Sequence, residues 1–407
     1  MPEDDPKRAA IARTAQDAAE NTAAGRDARN ALISPGCEIR IGPAGWSYPD
    51  WAGYVYPSPR PKGFHEATYL AQFFDTIEIN TSFYSPLQPG HAHQWLERVA
   101  DNPRFLFTAK LWQRFTHEIF PSLSGVETSG PGAPGVTPTD FARPSASKLS
   151  RTASAPTGIP SAEDERTVRA GFDVLRNAGK LGAVLLQFPF SFHRIAETTA
   201  YLAALLQRFA DYPLAVEVRH ASWDDPEVFA LLREHHAALC NIDQPIIGKS
   251  LEPREGRSLE PREGRSLAPR EDRSLETLNG RAAASDKTAP PIGYIRLHGR
   301  RYDTWFNDDP TIPSHERYNY LYSSEELTPW ADRIQTESEH TRKIFAVTNN
   351  HYLGKGVVNA LQLISMLKGA KVNVPESLRQ HYPELEKIAS TPPEKPTLFP
   401  MGKETKG

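Results

Sequence analysis

The stretch VEVRHASW, Val216 to Trp223, places a carboxylate, a guanidinium and an imidazole (Glu217, Arg219 and His220) at the end of an apolar run. An ionised carboxylate accepts protons, a guanidinium grips phosphate or carboxylate through two parallel hydrogen bonds, and an imidazole transfers protons near neutral pH. The same chemistry ends other apolar runs. Glu78 and Asn80 lie in TIEIN, Lys110 ends FLFTAK, Gln187 follows AVLL, Asp243 closes LCNID, Arg296 and His298 lie in YIRLHG, and Asn349 follows IFAVT. Together these residues point to acid/base chemistry of the hydrolase or lyase type on an anionic or sugar- or nucleotide-containing substrate. Lys110, Arg219 and Arg296 would hold the anion, Glu78 or Glu217 would act as general base, and His220 or His298 as general acid or base. Glu78, Glu217, Asp243, His220 and His298 are also competent metal ligands. They lack a metal-type spacing and sit among cations, so no metal or cofactor is expected, with a divalent ion the less favoured alternative.

These residues need elements to position them. The apolar runs at 39–44, 76–80, 105–110, 183–188, 214–219, 239–243, 294–299 and 344–349 read as strands. Most are separated by segments with apolar residues at helical spacing, such as ERTVRAGFDVLRNAG and DPEVFALLREHH. Asp224 or Asp225 before Pro226, and Ser323 or Ser324 before Glu325 and Glu326, are helix starts. The alternation predicts a parallel (β/α)8 TIM barrel. No G-x-G-x-x-G follows the first strand, which disfavours a doubly wound dinucleotide-binding sheet.

Side chains alternate across a strand, so parity sorts the polar residues. Glu78 and Asn80 oppose Ile77 and Ile79; Glu217 and Arg219 oppose Val216 and Val218; Arg296 and His298 oppose Ile295 and Leu297. Lys110 and Thr108 share one face, and Asn241 and Asp243 oppose Cys240 and Ile242. The polar set is expected to face the barrel interior at the carboxyl ends of the strands, where barrel enzymes build their sites. A lone Glu217–Arg219 pair reads equally well as buried architecture. Desolvating so many polar strand ends without a ligand would cost several kcal/mol each, which favours a pocket. Aromatics after the strands, Trp46, Tyr48, Trp51, Phe83, Tyr84, Trp112 and Trp223, would pack the loops or stack on a sugar or nucleobase.

The chain has 407 residues, of which 39% are hydrophobic and 36 are proline. Such a polar composition implies segments outside the packed core. Residues 1–35 read as a disordered tail and 121–160, rich in Pro, Gly, Ser and Thr, as an insertion. A second insertion at about 248–288 contains the repeat SLEPREGR, SLEPREGR, SLAPREDR, whose period is too short for a solenoid. The barrel is thus expected over 38–372, with a C-terminal tail at 373–407. A net charge of −3 leaves no footprint for non-specific nucleic-acid binding. Two cysteines, an acidic start without an apolar segment, and no membrane-length apolar run favour a cytoplasmic protein, with a nuclear one the alternative.

The segments GPAGWSYPDWAGYVYP, FFDTIEINTSFYSP, FLFTAKLWQRFTHE, KLGAVLLQFPFSF, AVEVRHASW, IRLHG and AVTNNHYLGKGVVNAL together resemble the YecE-like family, a TIM-barrel domain of unknown function, DUF72. The resemblance spans about residues 38–370 and departs from the family pattern at Pro43, Ala44 and the two insertions. It implies the barrel fold and no activity. Its pattern falls on Trp46, Glu78, Asn80, Phe83, Tyr84, Lys110, Thr116, His117, Gln187, Glu217, Arg219, His220, Trp223, Asp243, Arg296, His298 and Asn349. Trp46, Asn80, Tyr84, Lys110, His117, Gln187, Arg219, Trp223, Asp243, Arg296 and Asn349 are the candidate substrate-binding residues, with Glu78, Glu217, His220 and His298 as catalytic candidates. Against an enzyme stand two other readings: a nucleic-acid-binding or repair-related barrel whose aromatics stack bases beside Arg and Lys, and a non-catalytic sensor of a small metabolite.

Overall fold

Apolar runs bounded by turns leave their backbone groups unpaired, and eight such runs satisfy one another by pairing edge to edge. In the computed structural model these are β1 (Glu38–Pro43), β2 (Thr76–Ile79), β3 (Leu106–Lys110), β4 (Leu181–Gln187), β5 (Leu214–Glu217), β6 (Ala238–Asp243), β7 (Gly293–Leu297) and β8 (Lys343–Thr348). The structure describes residues 36–118, 159–253, 292–305, 311 and 313–390. All ladders are parallel, in the order β1-β8-β7-β6-β5-β4-β3-β2. A single bridge between Ala44 and Glu78, with the Gly45 amide donating to the Glu78 carbonyl at 2.8 Å, joins β1 to β2. The eight strands thus form a nearly closed barrel, as the alternation predicted.

That seam depends on Gly42. A Cβ there would land far inside van der Waals contact with the Thr76 carbonyl oxygen on β2. Gly42→Ala is therefore expected to force the seam apart and destabilise the fold by about 1–3 kcal/mol, read from the urea midpoint.

The helices are α1 (Glu66–Leu70), α2 (Thr81–Tyr84), α3 (Pro89–Arg98), α4 (Ala162–Asn177), α5 (Ala196–Arg208), α6 (Pro226–Glu234), α7 (Ser324–Ser338), α8 (Lys355–Lys368) and α9 (Glu376–His381). Asp225 caps α6 ahead of Pro226, and Ser323 closes a capping box with Glu326 at the start of α7. Ser161 and Asp164 do the same for α4. Two apolar layers result. A large outer one lies between strands and helices, and a small inner one is made of Ala44, Leu106, Ala183, Leu185, Ala215, Ala238, Cys240, Ile242, Ile292, Tyr294, Phe345 and Val347. Among the described residues no helix is long and apolar enough to cross a membrane.

Two expected boundaries shift. Residues 373–390 were expected in a tail, yet α9 and the turn after it bury Leu378 and Leu385, and Val372 bridges Ala389. Helical spacing over so few residues is too short to signal this packing. Residues 248–253, expected at the edge of an insertion, pack on the barrel: the Leu251 amide donates to the Arg219 carbonyl at 2.7 Å and Leu251 is buried. The tail at 1–35 and the segments 121–158 and 254–288, with all of the repeat beyond its first four residues, lie outside the described residues.

Candidate active site

The barrel centre holds a chain of charge. Arg296 on β7 donates from Nη2 to Glu78 Oε1 of β2 at 2.8 Å and from Nη1 to Glu217 Oε2 of β5 at 2.6 Å. All three side chains are fully buried. Glu217 Oε1 also accepts from Arg219 Nη2 and Nε, at 2.8 and 3.1 Å. Glu78 Oε2 lies 2.9 Å from the Tyr294 hydroxyl, which is equally close to Thr108 Oγ1. Burial alone would raise the Glu217 carboxyl, but Arg296 and Arg219 outweigh it and hold the group well below the usual carboxylate range.

Towards the mouth, Arg219 and Lys110 keep 8% and 9% exposure while Arg296 keeps none, so the outer cations meet solvent and the inner one does not. Lys110 Nζ lies 3.7 Å from Glu78 Oε1 and 5.7 Å from the centroid of the Phe83 ring. Burial, reinforced by Arg296 and opposed by Glu78, lowers its ammonium to about 8. His298 sits 3.3 Å from Arg296 Nη1 through Nε2, and 3.0 Å from Asn349 Nδ2 through Nδ1. Burial and then Arg296 lower it to about 3, so the imidazole is neutral. His117, against Phe83 and Thr116, is lowered to about 3 by burial and then by Arg219 and Lys110. Gln187 Oε1 accepts from Arg296 at 3.3 Å. Three cations thus face two carboxylates, a surplus of positive charge at the carboxyl rim.

A family model described as "Protein of unknown function DUF72" matches residues 40–384. The chain belongs to the DUF72 family. Its fold is similar to that of a DUF72 family protein from Thermotoga maritima, with a TM-score of 0.54 and 24% identity over 81% of this chain and 99% of that one. A DUF72 family protein from Enterococcus faecalis gives a TM-score of 0.56 and 19% identity over 83% of this chain and 98% of that one. At such identities the likeness establishes the fold alone. No curated protein matches this chain.

This DUF72 barrel brings Glu78, Lys110, Gln187, Glu217, Arg219, Arg296, His298 and Asn349 together, with His117 beside them. Strand β6 reverses the expected parity. Cys240 pairs with Tyr294 and Ile242 with Arg296 in the ladder, and both belong to the inner layer. Asp243 therefore faces outward, where Arg300 Nε donates to both its oxygens at 3.0 and 3.1 Å. The bulky Tyr294 and Arg296 already fill the centre at that level, so β6 contributes small apolar groups there. His220 also lies apart from the charge chain. Its Nδ1 accepts from the Ser222 amide at 3.1 Å, capping the turn Ala221–Trp223, and its ring packs 3.9 Å from His193. Trp223 is buried and stacked on Phe192, and Trp46 packs edge-on against Trp95, so both build loops and the outer layer. Tyr84 is 43% exposed at the end of α2. Asn80 Nδ2 donates to the Tyr48 hydroxyl at 3.3 Å, and its Oδ1 is buried with no partner among the described residues.

Sequence reasoning passed over Tyr294, although it shares parity with Arg296 and His298 on β7. It also passed over the Tyr48–His351 stack, at 4.3 Å, which no local spacing connects. Among the described residues, no three His, Cys, Asp or Glu side chains group in a metal-binding arrangement. The two central carboxylates face guanidinium groups instead.

Proposed function

We propose that this DUF72 protein is an enzyme that performs acid/base chemistry of the hydrolase or lyase type on an anionic substrate with a sugar or nucleotide portion. The reading rests on one observation: Arg296 is fully buried between Glu78 and Glu217, while Lys110 and Arg219, the latter paired among the described residues with Glu217 alone, sit above it as cations partly open to solvent. A phosphate or carboxylate entering the mouth meets both, in a low-dielectric site where charge interactions are strong. Phe83 and the exposed Tyr84 beside them suit the face of a ring. Glu217 is held too acidic to serve as a base at neutral pH. The base role therefore passes to Glu78, and His298, a neutral imidazole, is placed to donate a hydrogen bond to the substrate. His220, engaged as a cap, has a positioning role.

Arg219→Gln is the test. Glu217 keeps its contact with Arg296 in this variant, so the expected stability loss is about 1–2 kcal/mol. Wild-type and variant proteins are incubated with a metabolite extract and followed by mass spectrometry, with inorganic phosphate as a thermal-shift probe. The expected result is depletion of an anionic compound by the wild type and loss of both depletion and phosphate stabilisation in the variant. Retention of a compound without depletion would favour the sensor reading. Unchanged phosphate binding in Arg219→Gln would overturn the assignment of the anion site.

A further inference from the structure

Lys110 is an unusual lysine for either a structural or a surface role. It is the last residue of β3, nearly buried, at the carboxyl rim. A buried ammonium kept for architecture would donate its three protons to acceptors. Among the described residues, Lys110 Nζ instead has one ion-pair partner, Glu78 Oε1, at 3.7 Å, beyond hydrogen-bond distance. That oxygen is already held by Arg296 at 2.8 Å. Below the amine lies the Phe83 ring, and Arg296 and Arg219 both act against its positive charge. Desolvation beside other cations is the arrangement that makes a lysine amine nucleophilic.

We infer that Lys110 is a covalent nucleophile whose ε-amine condenses with the carbonyl carbon of an anionic aldehyde or ketone to form an imine. The inference rests on the proposed anion site, because Arg219 would receive the substrate's carboxylate or phosphate while Lys110 meets its carbonyl. The nitrogen lone pair forms the C–N bond and the carbonyl π pair moves to oxygen. The nitrogen gives up two protons, the oxygen gains two and leaves as water, and no oxidant or reductant is consumed. Glu78, 3.7 Å from Nζ, is placed to relay those protons. Such an imine withdraws electrons from the adjacent carbon, which suits the lyase branch of the proposed chemistry.

The test uses the full-length protein with glyoxylate, pyruvate or glyceraldehyde 3-phosphate. Sodium borohydride is added to reduce any imine to a stable secondary amine, and the adduct is located by peptide mass spectrometry. At least one of these probes is expected to label Lys110 about tenfold or more faster than the exposed Lys62 at pH 8, because an ordinary lysine is almost wholly protonated there. The labelling rate should rise through pH about 8. Uncharged acetone should label Lys110 at least about tenfold more slowly than the charged probe, since it lacks the group that Arg219 would hold. Lys110→Arg should lose the adduct, and Lys110→Met serves if the arginine variant fails to fold. Phosphate binding without labelling of Lys110 above Lys62 by any of the three probes would overturn the nucleophile and leave the anion site standing. Absence of both labelling and phosphate binding would overturn both.

Discussion

Arg296→Gln is expected to destabilise the protein by about 3–5 kcal/mol, measured by urea denaturation, and to be the most damaging single change in the barrel mouth. The guanidinium is fully buried between two fully buried carboxylates. Without it, among the described residues, Glu217 retains Arg219 and the neutral His298 at 3.6 Å, and Glu78 retains Lys110 at 3.7 Å and the Tyr294 hydroxyl. Two poorly compensated charges would then stand in the driest part of the barrel. Neutralising them should recover part of the loss, so the triple variant Glu78→Gln, Arg296→Met, Glu217→Gln is expected to be more stable than Arg296→Gln alone. The contrast with Arg219→Gln decides the meaning of VEVRHASW. If the inner arginine is architecture and the outer one serves a ligand, Arg219→Gln loses far less stability than Arg296→Gln. If both single variants lost equal stability, the outer cations would be architecture too.

Acid should weaken the fold early and steeply. His298 and His351 are lowered to about 3, in each case by burial first, followed by Arg296 for His298 and His315 for His351. His117 shifts the same way. An unfolded histidine titrates near 6.5, so between that value and about 3 the unfolded chain binds protons that the native protein does not. Stability must then fall as pH falls, by about 1.4 kcal/mol per pH unit for each histidine, or about 3 kcal/mol per unit for the two fully buried rings. The depressed Glu217 adds a loss only at lower pH. Its contribution is complete above the ordinary carboxylate range and disappears as pH falls through its lowered folded value. Urea midpoints at pH 7.5, 6 and 5 measure the slope, and His298→Gln should reduce it by about one histidine's share. Equal midpoints from pH 7.5 to 5 would show that these rings already carry their protons in the native state.

The amino-acid sequence by itself determined the alternation of strands and helices, the helix starts at Asp225 and Ser323, and the parity that turns Glu78, Lys110, Glu217, Arg219, Arg296 and His298 inward. These are local properties, written in spacings of a few residues, because alternation along a strand and capping at a helix end involve only near neighbours. Tertiary structure alone decided the face on which β6 presents its polar residues. Both faces of β6 are buried, so parity names two sets without saying which is inner, and the ladder to Tyr294 and Arg296 resolves it. It also decided that His220 caps a turn and that Asp243 meets Arg300, since both depend on loops that spacing does not locate. Above all it decided the division of labour among the charges. Glu78 and Arg296 are 218 positions apart, and only closing the barrel brings them to 2.8 Å. Full burial between two carboxylates makes Arg296 part of the frame, while Arg219, paired with one carboxylate, and Lys110 stay at the mouth in partial contact with water.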